Sequence, residues 1–272
     1  MDNPSFILQH SSLIDTHAHL DAEEFNGDRE EAIARAAGVV AMICPGIDAG
    51  SSEAAVRLAA GHEGIFAAVG IQPNYCAAAA EGDWERIVAL VSQPKVVAIG
   101  ETGLDRHWDY TPMEVQQDFF DRHLRLAQQH DLPMILHCRE AETDMLPMLH
   151  EAVARGPLRG VMHSFSADLR TAETCLELGL DVSFSGAVTY TNKKFESLRE
   201  AAKWIPADRL LVETDSPYLV PHPLRGKQPR NEPANIVLTA RRLAELRGVS
   251  FEELAARTTA NAERLFGLPA SL

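Results

Sequence analysis

Short apolar, β-branched runs alternate along the chain with longer stretches whose apolar positions recur at helical spacing. The runs cover residues 13–16, 39–44, 65–71, 96–99, 133–137, 160–163, 180–184 and 210–212. Near-continuous hydrophobicity over so few residues is what a strand buried on both faces requires, because a parallel sheet covered by helices leaves neither face to water. Between the runs, residues 28–37, 52–60, 83–91, 112–130, 141–155, 168–178 and 195–204 read as helices. Thr111-Pro112-Met113-Glu114 predicts a helix start with Thr111 as the cap, Pro at the first position and Glu at the third. Ser250-Phe251-Glu252-Glu253 predicts a second capping box before the last helix. Eight strand–helix units in a chain of 272 residues predict a (β/α)8 (TIM) barrel, with a doubly wound open sheet as the alternative. No linker, low-complexity tract or charge block divides the chain, so residues 1–272 are expected to form one domain.

A barrel of this kind carries its chemistry at the C-terminal ends of its strands, so the residues just after each run are the candidates. The first run leads into His17 and His19, whose spacing of two points both imidazoles the same way in extended chain. The third leads into Gln72, the fourth into Glu101 and Asp105, the fifth into His137 and Arg139, the sixth into His163, and the eighth into Glu213 and Asp215. Six candidate ligands, His17, His19, Glu101, His137, His163 and Asp215, are too many for one tetrahedral ion with an open position. They suit two divalent ions about 3.5–4 Å apart with a shared carboxylate. The expected division is His17, His19 and Asp215 on one ion and His137 and His163 on the other, with Glu101 bridging. Such a pair implies hydrolysis, with Asp215 both binding metal and taking the proton of the attacking water. Mixed imidazole and carboxylate donors are compatible with Zn, Mn, Ni or Fe, and an oxygen-rich environment would tolerate Mg.

Other residues near these ends have plainer expectations. Asp105 and Glu213 are expected to orient a ligand His or neighbouring backbone rather than bind metal. Arg139 either anchors a substrate anion or pairs with Glu140. His107, His123, His130 and His150 fall on helical or loop patterns and are expected to be solvated. Trp84 and Trp204 lie on helical patterns and are expected to pack, leaving Trp108 to line the mouth of the site.

Composition narrows the substrate. The net charge of −14 argues against binding a polyanion over the whole surface, so a phosphate-bearing substrate has to be held locally. Residues 216–230 contain no acid, and Arg225, Lys227 and Arg230 make that segment basic; the plainer reading is a loop whose cations pair with surface acids. The four Cys have no paired spacing and read as reduced thiols. With no signal peptide and no apolar run of membrane-spanning length, the chain is expected to be cytoplasmic, away from membranes and without an obligate protein partner.

The stretches Ile14-Asp15-Thr16-His17-Ala18-His19-Leu20-Asp21, Gly100-Glu101-Thr102-Gly103-Leu104-Asp105, His137-Cys138-Arg139-Glu140-Ala141 and Leu211-Val212-Glu213-Thr214-Asp215-Ser216-Pro217-Tyr218 resemble those of the TatD family. So do Arg225-Gly226-Lys227, Asn231-Glu232-Pro233, and Asn261 with Leu265-Phe266. The resemblance spans nearly the whole chain. It implies a metal-dependent deoxyribonuclease on an amidohydrolase-like barrel, with two divalent ions on His17, His19, Glu101, His137, His163 and Asp215. Two positions depart from the family pattern. Gly-x-His-Pro becomes Gly70-Ile71-Gln72-Pro73, which removes an imidazole, and His-Cys-Phe-Ser/Thr-Gly becomes His163-Ser164-Phe165-Ser166-Ala167. Three functions are expected as alternatives. The first is a DNase acting on single-stranded DNA or frayed ends as an exonuclease, with Gln72, Arg139, Arg225, Lys227 and Arg230 on the substrate. The second is an amidohydrolase-type enzyme for a small ester, lactone or amide. The third is a metal-binding protein without hydrolytic role.

Overall fold

The computed structural model describes residues 12–269. Its eight strands are β1 (Leu13–Asp15), β2 (Val39–Pro45), β3 (Ile65–Val69), β4 (Val96–Asp105), β5 (Met134–Arg139), β6 (Gly160–Met162), β7 (Leu180–Phe184) and β8 (Leu210–Val212). They form one sheet in strict sequence order, β1 to β8. Beyond the last pair, the Thr16 amide donates to the Val212 carbonyl at 3.4 Å, and Ala18 and Ser216 form a parallel bridge. β8 thereby returns to β1, as the (β/α)8 class requires; a doubly wound sheet would break the sequential order.

The helices are α1 (Arg29–Arg35), α2 (Ala49–Gly61), α3 (Asp83–Leu90), α4 (Met113–His130), α5 (Glu142–Arg155), α6 (Leu169–Glu177), α7 (Glu196–Trp204), α8 (Ile236–Arg247) and α9 (Phe251–Phe266). Every residue of β1, β3, β6, β7 and β8 is buried, which is the physical meaning of the unbroken apolar runs. By internal contacts the chain divides into two compact units. One holds Cys44–His163 and Glu173–Asp181; the other holds the described residues up to Ile43, Ser164–Ala172 and the chain from Val182.

Three local expectations are corrected. α8 is a helix beyond those expected, although Ile236, Val237, Ala240, Leu243 and Ala244 form its buried face at helical spacing. Thr111 does not cap α4: Pro112 occupies the cap position without a side-chain bond, and the Thr111 hydroxyl accepts from the Ala77 amide at 3.2 Å. Ser250 does cap α9, accepting from the Glu253 amide at 3.1 Å. The return half of that box is replaced by a Glu253–Arg257 pair on the helix surface.

Candidate metal-binding and active site

In the unit that holds β3 to β6, the register of β4 against β5 builds a ligand cluster. β4 runs six residues past its expected end and carries both Glu101 and Asp105. Gly103 pairs with His137, so the two carboxylates lie two positions to either side of the residue facing the imidazole, on one face of the strand. A Cβ on Gly103 would sit 1.9 Å from the His137 carbonyl oxygen, so only glycine permits this approach of β4 to β5.

The His137 ring then spans both carboxylates. Its Nδ1 lies 2.9 Å from Glu101 Oε1 and its Nε2 2.9 Å from Asp105 Oδ2. His163 Nε2 lies 3.3 Å from the same Glu101 oxygen and 3.4 Å from His137 Nδ1. Burial disfavours the His137 imidazolium, but the bonds to Asp105 and Glu101 outweigh it and raise the pKa. For Asp105, burial pushes the carboxyl up, while the bonds from His137, the Trp108 amide and Asn74 prevail and hold it at about 2. Asp105 is therefore a permanent anion. Its Oδ1 takes the amides of His107 at 2.8 Å and Trp108 at 3.0 Å, and its Oδ2 also takes Asn74 Nδ2 at 3.2 Å.

Gln72 joins the same unit by another route. It is buried, and its side-chain oxygen accepts from the Asn74 amide at 2.8 Å, capping the 3-10 turn Pro73–Ala78. The preceding amide, of Ile71, donates to His123 Nε2 at 3.0 Å. His123 is fully buried, which corrects the expectation of a solvated imidazole. Its Nδ1 lies 2.6 Å from the Phe119 carbonyl, so the neutral Nδ1–H tautomer satisfies both neighbours. Burial lowers its pKa to about 4. Trp84 packs edge-on against this ring, centroids 4.9 Å apart; Trp204, expected to pack, is 44% exposed.

In the other unit, Asp15 ties the ends of β1 and β8 together. Its carboxylate takes the Thr214 amide at 2.9 Å, the Thr214 hydroxyl at 2.6 Å and the His17 amide at 3.3 Å. Burial still pushes this carboxyl up, to about 7, against those bonds. The Asp215 amide donates to the His17 carbonyl at 2.9 Å and the His19 amide to the Ser216 carbonyl at 2.8 Å. Three side chains meet as a result. His17 Nε2 and His19 Nε2 are 3.1 Å apart, and Asp215 Oδ1 lies 3.8 Å from the first and 3.7 Å from the second. Glu213 stands outside this set, accepting the Ser164 amide at 2.6 Å. Tyr218, 53% exposed, meets the His19 ring edge-on at 5.9 Å.

Each set of three donors has the chemistry and spacing of a cation site. Ligands about 2.1 Å from a tetrahedral ion stand roughly 3.4 Å from one another, and the separations here run from 2.9 to 3.8 Å. The chain matches the family model described as TatD related DNase over residues 14–267. It is 42% identical over 256 residues to the uncharacterized metal-dependent hydrolase YabD of Bacillus subtilis, covering 93% of this chain and 98% of that protein. The chain belongs to the TatD family of metal-dependent hydrolases. Another TatD relative, the 3'-5' ssDNA/RNA exonuclease TatD of Citrobacter rodentium, is 36% identical over 260 residues, covering 94% of this chain and 98% of the relative. The crystal structure of the TatD homologue YjjV from Escherichia coli superposes with a TM-score of 0.87 at 32% identity, over 94% of this chain and 98% of that one.

The remaining residues expected on the substrate are scattered in kind. Arg139 does not pair with Glu140, which instead binds His107 Nδ1 at 2.9 Å; its guanidinium lies 5.8 Å from the Trp108 ring centre. Arg225 lies over the Tyr190 ring at 3.9 Å, and Lys227 is exposed. Arg230 is engaged by Asp28 at 2.7 Å and Glu232 at 3.1 Å and covers the Phe25 ring at 4.3 Å, the plainer of the two readings for that segment. Sequence reasoning missed Asp15 and Asn74. Asp15 was findable, since an acid two residues before His17 in a buried run needs a partner; Asn74 carried no signal. Among the described residues no helix is long and apolar enough to cross a membrane.

Proposed function

We propose that the chain is a metal-dependent deoxyribonuclease that hydrolyses phosphodiester bonds of single-stranded DNA or frayed ends, as an exonuclease, with residues 1–272 working as one domain. One ion would be held by His17, His19 and Asp215 and a second by His137 and His163, with Glu101 shared. Zn, Mn and Ni suit these donors, and Mg would need water oxygens to complete its shell. Bound divalent ions supply acidified water and polarise a phosphoryl oxygen. Asp215 takes the proton released by the attacking water, Asp105 keeps the His137 Nε2 proton in place, and Asp15 sets the ends of β1 and β8. Arg139, Arg225 and Lys227 supply positive charge for the backbone, Arg230 being tied to acids. Gln72 donates its amide to the substrate.

The observation that carries the hydrolytic reading is the pair of donor sets at strand ends, each with metal-ligand spacing. The exonuclease relative at 36% identity supports the choice of substrate. The test is an assay of labelled single-stranded oligonucleotide beside a panel of small esters, lactones and amides, with Mg, Mn, Zn or Ni added. Metal-dependent shortening of the oligonucleotide is expected. Turnover confined to the small substrates would replace this reading by the amidohydrolase one, and DNA binding without any turnover would reduce the chain to a metal-binding protein.

A further inference from the structure

The loop after β4 presents two aromatic rings to solvent in an ordered stack. Trp108 and Tyr110 have centroids 5.6 Å apart and planes 16° from parallel, yet they remain 43% and 63% exposed. His107 meets the Trp108 ring edge-on at 4.8 Å, and the Arg139 guanidinium lies 5.8 Å from its centre. Tyr110 stacks on Trp108 and is still 63% exposed, so the end of the stack is open to solvent and to a further ring.

The loop's position is fixed from below. Asp105 Oδ1 accepts the amides of His107 and Trp108, while its Oδ2 lies 2.9 Å from His137 Nε2. The carboxylate that orients a metal-ligand imidazole thus also sets where the ring stack stands. An aromatic surface anchored through Asp105 beside that imidazole, with a guanidinium next to it, fits one ligand chemistry well: a flat heterocycle attached to an anionic backbone.

We propose that Trp108 and Tyr110 form a stacking platform for an unpaired nucleobase, with Arg139 beside it for the adjoining phosphate. This rests on the nuclease reading above and names the part of the substrate that is recognised. Any base has a π face, so the platform is tolerant of sequence. A base inside a duplex has both faces covered by its neighbours and cannot use it, which gives a preference for single strands without any base-specific hydrogen bond.

The test measures binding separately from cleavage. The metal-loaded protein is titrated with a nuclease-resistant phosphorothioate oligothymidylate and with an abasic oligomer of the same backbone, monitoring fluorescence anisotropy of the oligomer and emission of the protein's tryptophans. The expected result is quenching by the base-bearing oligomer that disappears in Trp108→Phe, and weaker binding by the abasic one. Tyr110→Ala should raise Kd roughly 5- to 150-fold, the range for removing one base–aromatic stack, and the ring-preserving Tyr110→Phe should restore that affinity. Equal affinity for the two oligomers, an unchanged Kd in Tyr110→Ala, or no binding by the wild-type protein would each overturn the platform. Ring-dependent binding without cleavage of ordinary DNA would sink the nuclease reading and leave the platform; cleavage with ring-independent binding would do the reverse.

Discussion

Asp105 holds His137 by the nitrogen that faces away from Glu101, with 2.9 Å between Oδ2 and Nε2. With an ion in place of the Nδ1 proton, that bond would hold the Nε2–H tautomer and leave the Nδ1 lone pair to the metal, the usual role of a carboxylate behind a ligand imidazole. Asp105→Asn offers a weaker acceptor and allows the ring to turn. Affinity for the ion on this side should fall about 10- to 100-fold, while far-ultraviolet circular dichroism stays unchanged. Titration with a metallochromic competitor reads the change; unaltered affinity would leave Asp105 as no more than an anchor for the loop after β4.

Substitutions at Asp215 and Glu101 test the roles proposed for them. Asp215 has φ near 54°, in the left-handed region that Asn also adopts readily, so Asp215→Asn should keep the fold. The amide cannot accept a proton and is a poor ligand, and turnover should drop by at least about 100-fold. Glu101→Gln should instead lower the number of ions bound per chain, read by elemental analysis after dialysis. A Glu101→Gln protein that keeps two ions at undiminished affinity would end the idea of a shared carboxylate.

The strand ends were legible because His, Glu and Asp are conspicuous after apolar runs, and all six expected ligands fall into two sets of mutually close donors. What escaped was of two kinds. Gly100 and Gly103 read as breakers that end a strand at Ile99, whereas in three dimensions the missing Cβ of Gly103 is what allows β4 to continue beside His137. His123 reads as polar and hence solvated. Yet it lies three residues after Phe120, one before Leu124 and four before Ala127, all buried, so its spacing places it on the inner face. Periodicity is the better guide there than residue type. Arg230 escaped for a different reason: no local pattern announces Asp28, some two hundred residues earlier, as its partner.

His123 should make stability depend on pH. The folded protein holds the imidazole neutral down to about pH 4, and protonation would set an Nε2–H against the Ile71 amide, donor against donor. The unfolded chain takes up a proton near pH 6.5. Between those values the unfolded state binds more protons, so this group's contribution is full above about 6.5 and is lost as pH falls toward 4, by roughly 3 kcal/mol in all. Urea midpoints measured from pH 7 to 4 should show this slope in the wild type. A His123→Gln protein should lack it, and an equal slope in both would place the sensitivity elsewhere.

The cations after β8 should divide. Arg225 and Lys227 are exposed, and reversing both to Glu should raise KM for single-stranded DNA and flatten its salt dependence by roughly 0.7 in log–log slope for each phosphate no longer neutralised. Arg230→Glu should behave as a stability variant, since it sets a third carboxylate beside Asp28 and Glu232: a lower melting temperature with KM nearly constant. If Arg230→Glu changes the salt slope and leaves the melting temperature alone, the residue reaches phosphate despite its acidic partners.

Gln72 is one of the two positions expected to depart from the family pattern, and its surroundings say what Gln72→His would do. The segment is pinned at both ends, by the Ile71 amide on His123 and by the Asn74 amide on the Gln72 side-chain oxygen. In Gln72→His, a neutral imidazole accepting the Asn74 amide through Nδ1 would keep that cap, whereas the imidazolium that can act as an acid carries a proton on both nitrogens and has to give up the Asn74 bond. A neutral amide can hydrogen-bond a phosphate but cannot surrender a proton to a leaving oxygen, and a positioned acid contributes about 10²–10⁴-fold. The variant should therefore cleave DNA faster, with a new ionisation limiting the rate on the basic side that the wild type lacks. Slow product release would hide this gain in kcat, so single-turnover rates across pH are the measurement to make. If those rates do not rise, Gln72 is not a substitute for an acid. Its place as the cap of the turn Pro73–Ala78 would then be its whole function, and the case for a small ester or lactone as substrate would strengthen.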